Sequence, residues 1–274
     1  MQVKFYKTAD ERLKPYLEGY YFLKKEAVED VEYLTFPNNF ISVSVYYNVG
    51  VNFQDNNAVI SQNDNLDFTS ILVASYKSPI KVNYVGKINE VTFCFKPLGL
   101  NSFLPNLSVF FNSSKSFLPF DDYRETMTAI LNESSDEVKI IMLENYWLSK
   151  LNDFNHFLLD NLVSEMLKVD EQVTITELAL KYDTSRQNIH KLFSRYVGKS
   201  PADFRKIHRF RKALSKRIDS LKEEKNLTVV GYEALFYDQS HMVKAFKSLT
   251  GFTPKQFFEG IELKNGAGNW FFTK

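Results

Sequence analysis

Polar and apolar positions alternate through much of the first 120 residues. Ile41-Ser42-Val43-Ser44-Val45-Tyr46-Tyr47 sets apolar side chains against small polar ones, as a half-buried strand does. Val91-Thr92-Phe93-Cys94-Phe95 repeats the pattern, with Val91, Phe93 and Phe95 on one face. Residues 71–76 and 81–85 predict two further strands. Turn chemistry separates these runs at Pro37-Asn38-Asn39, Asp55-Asn56-Asn57, Asn63-Asp64-Asn65 and Ser78-Pro79. Many short strands at this spacing predict an all-β sandwich or barrel. From Asp121 onward the period becomes helical. Residues 121–133 and 136–151 predict two helices. Residues 155–169 predict a third, with Phe157, Leu158, Leu162, Met166 and Val169 near one face. The change of texture places a domain boundary between 150 and 170.

The helical part contains an internal repeat. Residues 185–204 superimpose without a gap on 238–257, an offset of 53 positions. Ile189, Leu192, Phe193 and Tyr196 fall on Met242, Ala245, Phe246 and Leu249, and each set has the i, i+3, i+4, i+7 spacing of one apolar helical stripe. Gly198-Lys199-Ser200-Pro201 falls on Gly251-Phe252-Thr253-Pro254. In both, Gly suits a left-handed helix end, Ser or Thr can cap the next helix, and Pro suits its first turn. Each copy reads as a helix-turn-helix. In the first, Thr174-Ile175-Thr176-Glu177 is a capping-box pattern, Tyr182-Asp183-Thr184-Ser185 is a tight break, and Ser185 caps the second helix. In the second, the short helix is expected at 228–235. Residues 201–219 read as one connecting helix of about 27 Å, near the ~34 Å pitch of B-DNA.

Charge sharpens this picture. The chain has 34 Lys and Arg against 33 Asp and Glu, a net +1. Residues 171–274 hold 19 basic and 11 acidic residues, or +8, and residues 1–170 hold 15 and 22, or −7. A basic C-terminal third suits a polyanion partner, although charge alone equally fits a solvated lysine-rich surface. The outward faces of the two second helices carry the discriminating chemistry. Arg186, Gln187, His190, Lys191, Ser194 and Arg195 line one; Gln239, His241, Lys244, Lys247 and Ser248 line the other. Such donors reach base edges and phosphates from a major groove. Two equivalent faces with helix-turn-helix punctuation favour DNA over a merely wet helical bundle.

Residues 155–262 resemble the AraC-type DNA-binding domain, in which two helix-turn-helix units are joined by a long helix. The most specific stretch is Tyr237-Asp238-Gln239-Ser240-His241, then Lys244-Ala245-Phe246-Lys247 and Gly251-Phe252-Thr253-Pro254; 185–193 and 198–201 match the first unit. The chain departs from the pattern at Gly231 and Leu235, where the family usually has Ala and Gly, at Met242, where an aromatic is usual, and at Asp183, where Gly is usual. By resemblance, Gln187, His190, Lys191, Gln239, His241 and Lys244 read bases. Arg186, Arg195 and Lys247 grip phosphates, Ser240 caps or touches a phosphate, and Asp238 is a cap. The family plan also implies an N-terminal cupin-like β-barrel that binds a small molecule or dimerises, and Phe93-Cys94-Phe95-Lys96-Pro97-Leu98-Gly99 is similar to a segment of such barrels.

Other chemistry is largely excluded. The four histidines are His156, His190, His208 and His241, so none lies in the barrel and a His-based metal site there is ruled out. Cys94 is the single cysteine, which excludes an internal disulfide and a multi-Cys zinc site, and mid-strand it reads as a small buried or pocket-lining residue. No Gly-rich phosphate loop occurs. Hydrophobic residues make up 44% and charged residues 24%, the balance of a soluble globular protein. No apolar run approaches a membrane span, and residues 1–10 lack the apolar core of a signal peptide, so a cytoplasmic protein is expected. Barrel aromatics could line an organic-ligand cavity, and Tyr46, Phe53, Tyr84, Phe93 and Phe95 are the candidates; a filled core is the alternative.

The expected fold is α+β: a cupin-like β-barrel at 1–120, a helical linker or dimerisation region at 121–154, and an all-α double helix-turn-helix domain at 155–264. The expected function is a sequence-specific DNA-binding transcription regulator, not an enzyme, with no cofactor or metal. Its expected partners are double-stranded DNA, a small-molecule effector and a second copy of the chain, with no membrane. The alternative is a ligand-binding or assembly protein whose helix-turn-helix units make protein contacts.

Overall fold

The computed structural model describes residues 1–111, 116–168, 173–222, 236 and 239–260, with no side-chain description at 219–222. Among the described residues, nine strands form two facing sheets. The first contains β1 (Gln2–Lys7), β2 (Leu17–Lys25), β4 (Ile41–Tyr47), β7 (Thr69–Val73) and β9 (Ile88–Phe95), in the order β1-β2-β9-β4-β7. The second contains β3 (Val31–Thr35), β5 (Val49–Gln54), β6 (Asn57–Gln62) and β8 (Ile80–Val85), in the order β3-β8-β6-β5. All pairings are antiparallel except β6 with β8. The chain passes from one sheet to the other at Asn48, whose φ of 54° is in the left-handed region that Asn tolerates best after Gly. The Thr69 hydroxyl donates to the Val49 carbonyl at 2.6 Å and closes this corner.

The five-stranded sheet is covered on both faces. Ile41, Val43 and Val45 of β4 and Val91, Phe93 and Phe95 of β9 pack outward against α1 (Tyr123–Asn132) and α2 (Asp136–Ser149). Trp147 of α2 is fully buried, with its ring 4.9 Å from Phe95 and 5.5 Å from Phe93, both edge-on. Side chains alternate along a strand, so Ser42, Ser44, Tyr46, Glu90, Thr92 and Cys94 face the space between the sheets. The polar row therefore lines the barrel interior. The apolar row builds a second core outside it. The helices at 123–149 belong to this layer.

The C-terminal part has two cores strung on one helix. In the first, α3 (Phe157–Leu167), α4 (Ile175–Lys181) and α5 (Arg186–Tyr196) bury Leu159, Leu162, Leu178, Ile189 and Phe193 against Phe204. In the second, α7 (Gln239–Thr250) and α8 (Pro254–Glu259) bury Met242, Phe246, Leu249 and Phe257 against Phe210 and Leu214. Phe204, Phe210 and Leu214 belong to α6 (Pro201–Lys222), whose 22 residues span about 33 Å. The short helix expected at 228–235, with Gly231 and Leu235, lies outside the described residues, as do Tyr237, Asp238 and 261–274.

The barrel sends apolar side chains into both cores, and Leu34 packs against the edge of the second. Leu98 enters the first, and Phe36 enters the second. Leu98 holds a left-handed φ of 65°, a costly conformation for a branched residue. The loop between β3 and β4 is stitched down immediately after Phe36. Asn39 donates to the Phe204 carbonyl at 2.9 Å, Lys199 donates to the Asn38 carbonyl at 2.8 Å, and Arg211 Nε donates to the Pro37 carbonyl at 2.8 Å. Lys77 pairs with Asp203 at 3.1 Å, and Asn101 donates to the Tyr196 carbonyl at 2.9 Å.

Candidate nucleic-acid interface and ligand cavity

The first unit is built by its caps. Thr174 accepts from the Glu177 amide while Glu177 accepts from the Thr174 amide, a complete capping box at the start of α4. Asp183 turns the chain at φ 46°, taking the left-handed position that Gly would fill more cheaply. Ser185 then accepts from the Asn188 amide at 3.0 Å and starts α5. Ile189 and Phe193 are buried, which leaves Arg186, Gln187, His190, Lys191 and Arg195 exposed on the opposite side. The Arg195 guanidinium lies over the Tyr196 ring at 5.2 Å. After α5, Gly198 adopts φ 73°, and a Cβ there would stand 3.2 Å from the Phe111 ring of the barrel domain. The left-handed turn favours glycine, and a Cβ would fit only if the Phe111 ring shifted.

The described part of the second unit presents a face of the same kind. Met242, Ala245, Phe246 and Leu249 of α7 are buried, and Gln239, Ser240, His241, Lys244 and Lys247 are exposed. The His241 ring stands against Phe236 at 6.0 Å. Gly251 takes φ 81°, and Thr253 and Gln256 form a capping box around Pro254 at the start of α8. All ten residues nominated for DNA therefore lie on the exposed sides of α5 and α7, and α6 adds exposed Lys212 and Lys216. His208 is different. Its Nε2 lies 2.9 Å from the Leu167 carbonyl, and burial lowers its pKa, so it is a neutral tie between α6 and α3.

A cavity of about 120 Å³ lies between the two sheets. Tyr21, Tyr33, Tyr46, Glu90 and Thr92 form its polar part, and Phe53, Ile60, Ile71 and Val82 are among its apolar walls. Thr35, Asn38, Phe40, Tyr76 and Arg211 also line it, so its boundary includes the β3–β4 loop and one side chain of α6. Of the five barrel residues nominated for a ligand, Tyr46 and Phe53 line this space. Tyr84 stands behind it, with its hydroxyl donating to Glu90 Oε2 at 2.6 Å. Phe93 and Phe95 do not reach it: they sit on the opposite face of β9, packed on Trp147, because the helical layer claims the apolar row. The sequence reading missed Glu90, Tyr21, Tyr33, Thr92 and Arg211. A charged residue on the polar row of a central strand was the available signal. Burial pushes the Cys94 thiol up to about 11, so it stays protonated at neutral pH and is a poor nucleophile. Among the described residues no group of three His, Cys, Asp or Glu side chains is placed to hold a metal ion, and no helix is long and apolar enough to cross a membrane.

Two polar recognition faces, on α5 and α7, packed on one long helix define a DNA-binding domain. Residues 178–260 match the family model of a helix-turn-helix domain, and this C-terminal domain is of the AraC type. No curated protein matches the chain. Among solved structures, ToxT from Vibrio cholerae is similar over 88% of this chain and 98% of its own, at 10% identity and a TM-score of 0.45. A structure of ToxT bound to (E)-4-(8-methylnaphthalen-1-yl)but-3-enoic acid is similar over 87% and 97%, at 11% identity and a TM-score of 0.43. Unsaturated-fatty-acid-bound ToxT from strain SCE256 is similar over 86% and 94%, at 12% identity and a TM-score of 0.38.

Proposed function

We propose that this protein is a sequence-specific DNA-binding transcription regulator whose barrel takes a small-molecule effector. The observation that carries the first part is the doubled recognition surface, five exposed donor-rich residues on α5 and five on α7, joined through α6. Gln187, His190 and Lys191, with Gln239, His241 and Lys244, are assigned to base edges. Arg186, Arg195 and Lys247 are assigned to phosphates, and Ser240 to a cap or phosphate contact. A cytoplasmic site of action follows from that role, and no catalytic role is assigned.

The effector part rests on where the cavity lies. The same loop that borders it, through Thr35, Asn38 and Phe40, also seats Phe36 in the second helix-turn-helix core. A ligand shifts an equilibrium only by its unequal affinity for two arrangements. One that moves this loop makes that difference at Phe36 and Arg211. A homodimer fits the reading, because paired sites raise affinity through effective concentration.

The test is fluorescence-anisotropy binding to duplex from upstream of the protein's own gene, against random duplex, over a salt series. The reading expects a preference for the specific duplex and an affinity that falls steeply with salt, since each neutralised phosphate adds about 0.9 to the log–log slope. Salt-independent binding, or none to either duplex, refutes it.

A further inference from the structure

One carboxylate inside the barrel lacks the partner that buried charge normally has. Glu90 is 1% exposed. Its Oε1 accepts from the Tyr21 hydroxyl at 2.8 Å and the Thr92 hydroxyl at 2.6 Å, and its Oε2 accepts from the Tyr84 hydroxyl at 2.6 Å. Each of these partners is a neutral hydroxyl, and none supplies the positive charge that offsets the desolvation of a carboxylate. Burial accordingly pushes the Glu90 pKa up. The other titratable groups around it, Tyr21, Tyr33, Tyr46 and Tyr84, are pushed up as well, so they remain neutral.

The cavity opens against this group. Glu90 shares its wall with Tyr21, Tyr33 and Tyr46, and the remaining wall mixes aliphatic side chains such as Ile60, Ile71 and Val82 with Phe40, Phe53, Tyr76 and small polar groups. A buried carboxylate with only neutral hydroxyl partners suits an organic cation, which supplies the missing opposite charge. A ligand carboxylate at the same point would meet a like charge in a medium that screens little. Size limits the rest of the molecule. About 120 Å³ is close to the roughly 150 Å³ of an apolar cavity that holds benzene. Arg211 lines the cavity too, so the far end of a ligand is neutral or acidic, and diamines are disfavoured.

We propose that the barrel cavity binds a small protonated amine carrying one ring or a short branched body, with its ammonium on Glu90 among Tyr21, Tyr33 and Tyr46. This rests on reading the cavity as the effector site.

The experiment uses the full chain at neutral pH and three probes of one shape: benzylamine, benzyl alcohol and benzoate. Calorimetric titration and thermal denaturation report binding. Benzylamine is expected to bind and raise Tm, with benzyl alcohol at least tenfold weaker and benzoate weaker still. Glu90→Gln, checked for fold by circular dichroism, should weaken benzylamine at least tenfold and leave benzyl alcohol unchanged. Benzoate binding as tightly as benzylamine, silence toward benzylamine at millimolar concentration, or full benzylamine affinity in Glu90→Gln overturns the proposal. If Glu90→Gln does not fold, the probe ranking on the unsubstituted chain decides alone. DNA binding measured on the same preparation separates the two readings. DNA binding without amine binding removes only the amine, and amine binding without DNA binding removes only the regulator.

Discussion

Phe36 of the barrel stands edge-on to Phe257 of the last described helix, with ring centroids 5.1 Å apart at 80°. The contact joins residues 221 positions apart and seats a barrel side chain, 1% exposed, inside the second helix-turn-helix core. Phe210 completes the nest at 6.4 Å. Phe36→Ala leaves a cavity there and is expected to cost about 3–5 kcal/mol, the usual range for a buried Phe. The loss falls on the junction between barrel and helices, so calorimetry should resolve separate melting of the two parts. A single transition at an unchanged Tm would show that the junction contributes little.

Lys199 gives that junction a pH dependence. It is 5% exposed, donates to Asn38, and has its pKa lowered from 10.5 to about 7, first by burial and then by the nearby Arg211. Below pH 7 both folded and unfolded chains carry the proton, and the folded one bears the cost. Between about pH 7 and 10.5 the folded chain releases it while the unfolded chain keeps it, so stability rises through that window. Urea midpoints should increase with pH above neutrality, and Lys199→Met should flatten the increase. An unchanged slope in the variant would assign the effect to another group.

Much of the C-terminal domain was legible because its signals are local. Thr174, Ser185, Gly198 and Thr253 each announce a helix boundary through side-chain or backbone geometry needing only a few neighbours. The long connecting helix extends three residues beyond the 201–219 expected, to Lys222. Four of the barrel strands, β4, β7, β8 and β9, were legible as strands, but not which way they face. The alternation in 41–47 and 91–95 is the same whether the polar row meets water or an internal cavity. Only the packing of Trp147, more than 50 positions later, fixes the choice. Phe93 and Phe95 were nominated for a ligand on that ambiguity, and Glu90 was passed over. Arg211 was visible only as part of a helical stripe, since its approach to Phe36 and Pro37 depends on tertiary contact.

Phe95 separates the two faces of β9 in a test. Phe95→Ala removes a ring packed against Phe103 and Trp147, and about 3–5 kcal/mol of stability is expected to go with it. Affinity for any ligand of the cavity should stay within twofold, because the side chain points away from it. A selective loss of ligand affinity in a variant of intact fold would contradict the assigned register.

The caps of the first unit have a measurable share in its stability. Thr174→Ala removes the acceptor for the Glu177 amide and half of the capping box, at a cost of about 1 kcal/mol. Chemical denaturation should show this loss. Thr174→Ser, which keeps the hydroxyl, should recover most of it; if it does not, the cap is not the source.

Base and phosphate contacts predict different mutational signatures. Gln187→Ala and Lys191→Ala are expected to narrow the gap between specific and random duplex, by about 1–3 kcal/mol for each lost base contact. Lys247→Ala should weaken both duplexes alike and lower the salt slope by about 1. Competition anisotropy measures both. A uniform loss in Gln187→Ala would move that residue to the backbone class.

The central claim is that both recognition helices engage one stretch of DNA, spaced by α6. Hydroxyl-radical footprinting of the intact protein on its upstream DNA tests it most directly. The account predicts two protected segments on one face of the duplex, with centres about 10–10.5 base pairs apart. It also predicts that Gln187→Ala with Lys191→Ala erases one segment and Gln239→Ala with Lys244→Ala the other. A single protected segment that only the first pair of substitutions removes would contradict it, and would leave α7 as a helix that faces solvent without reading DNA.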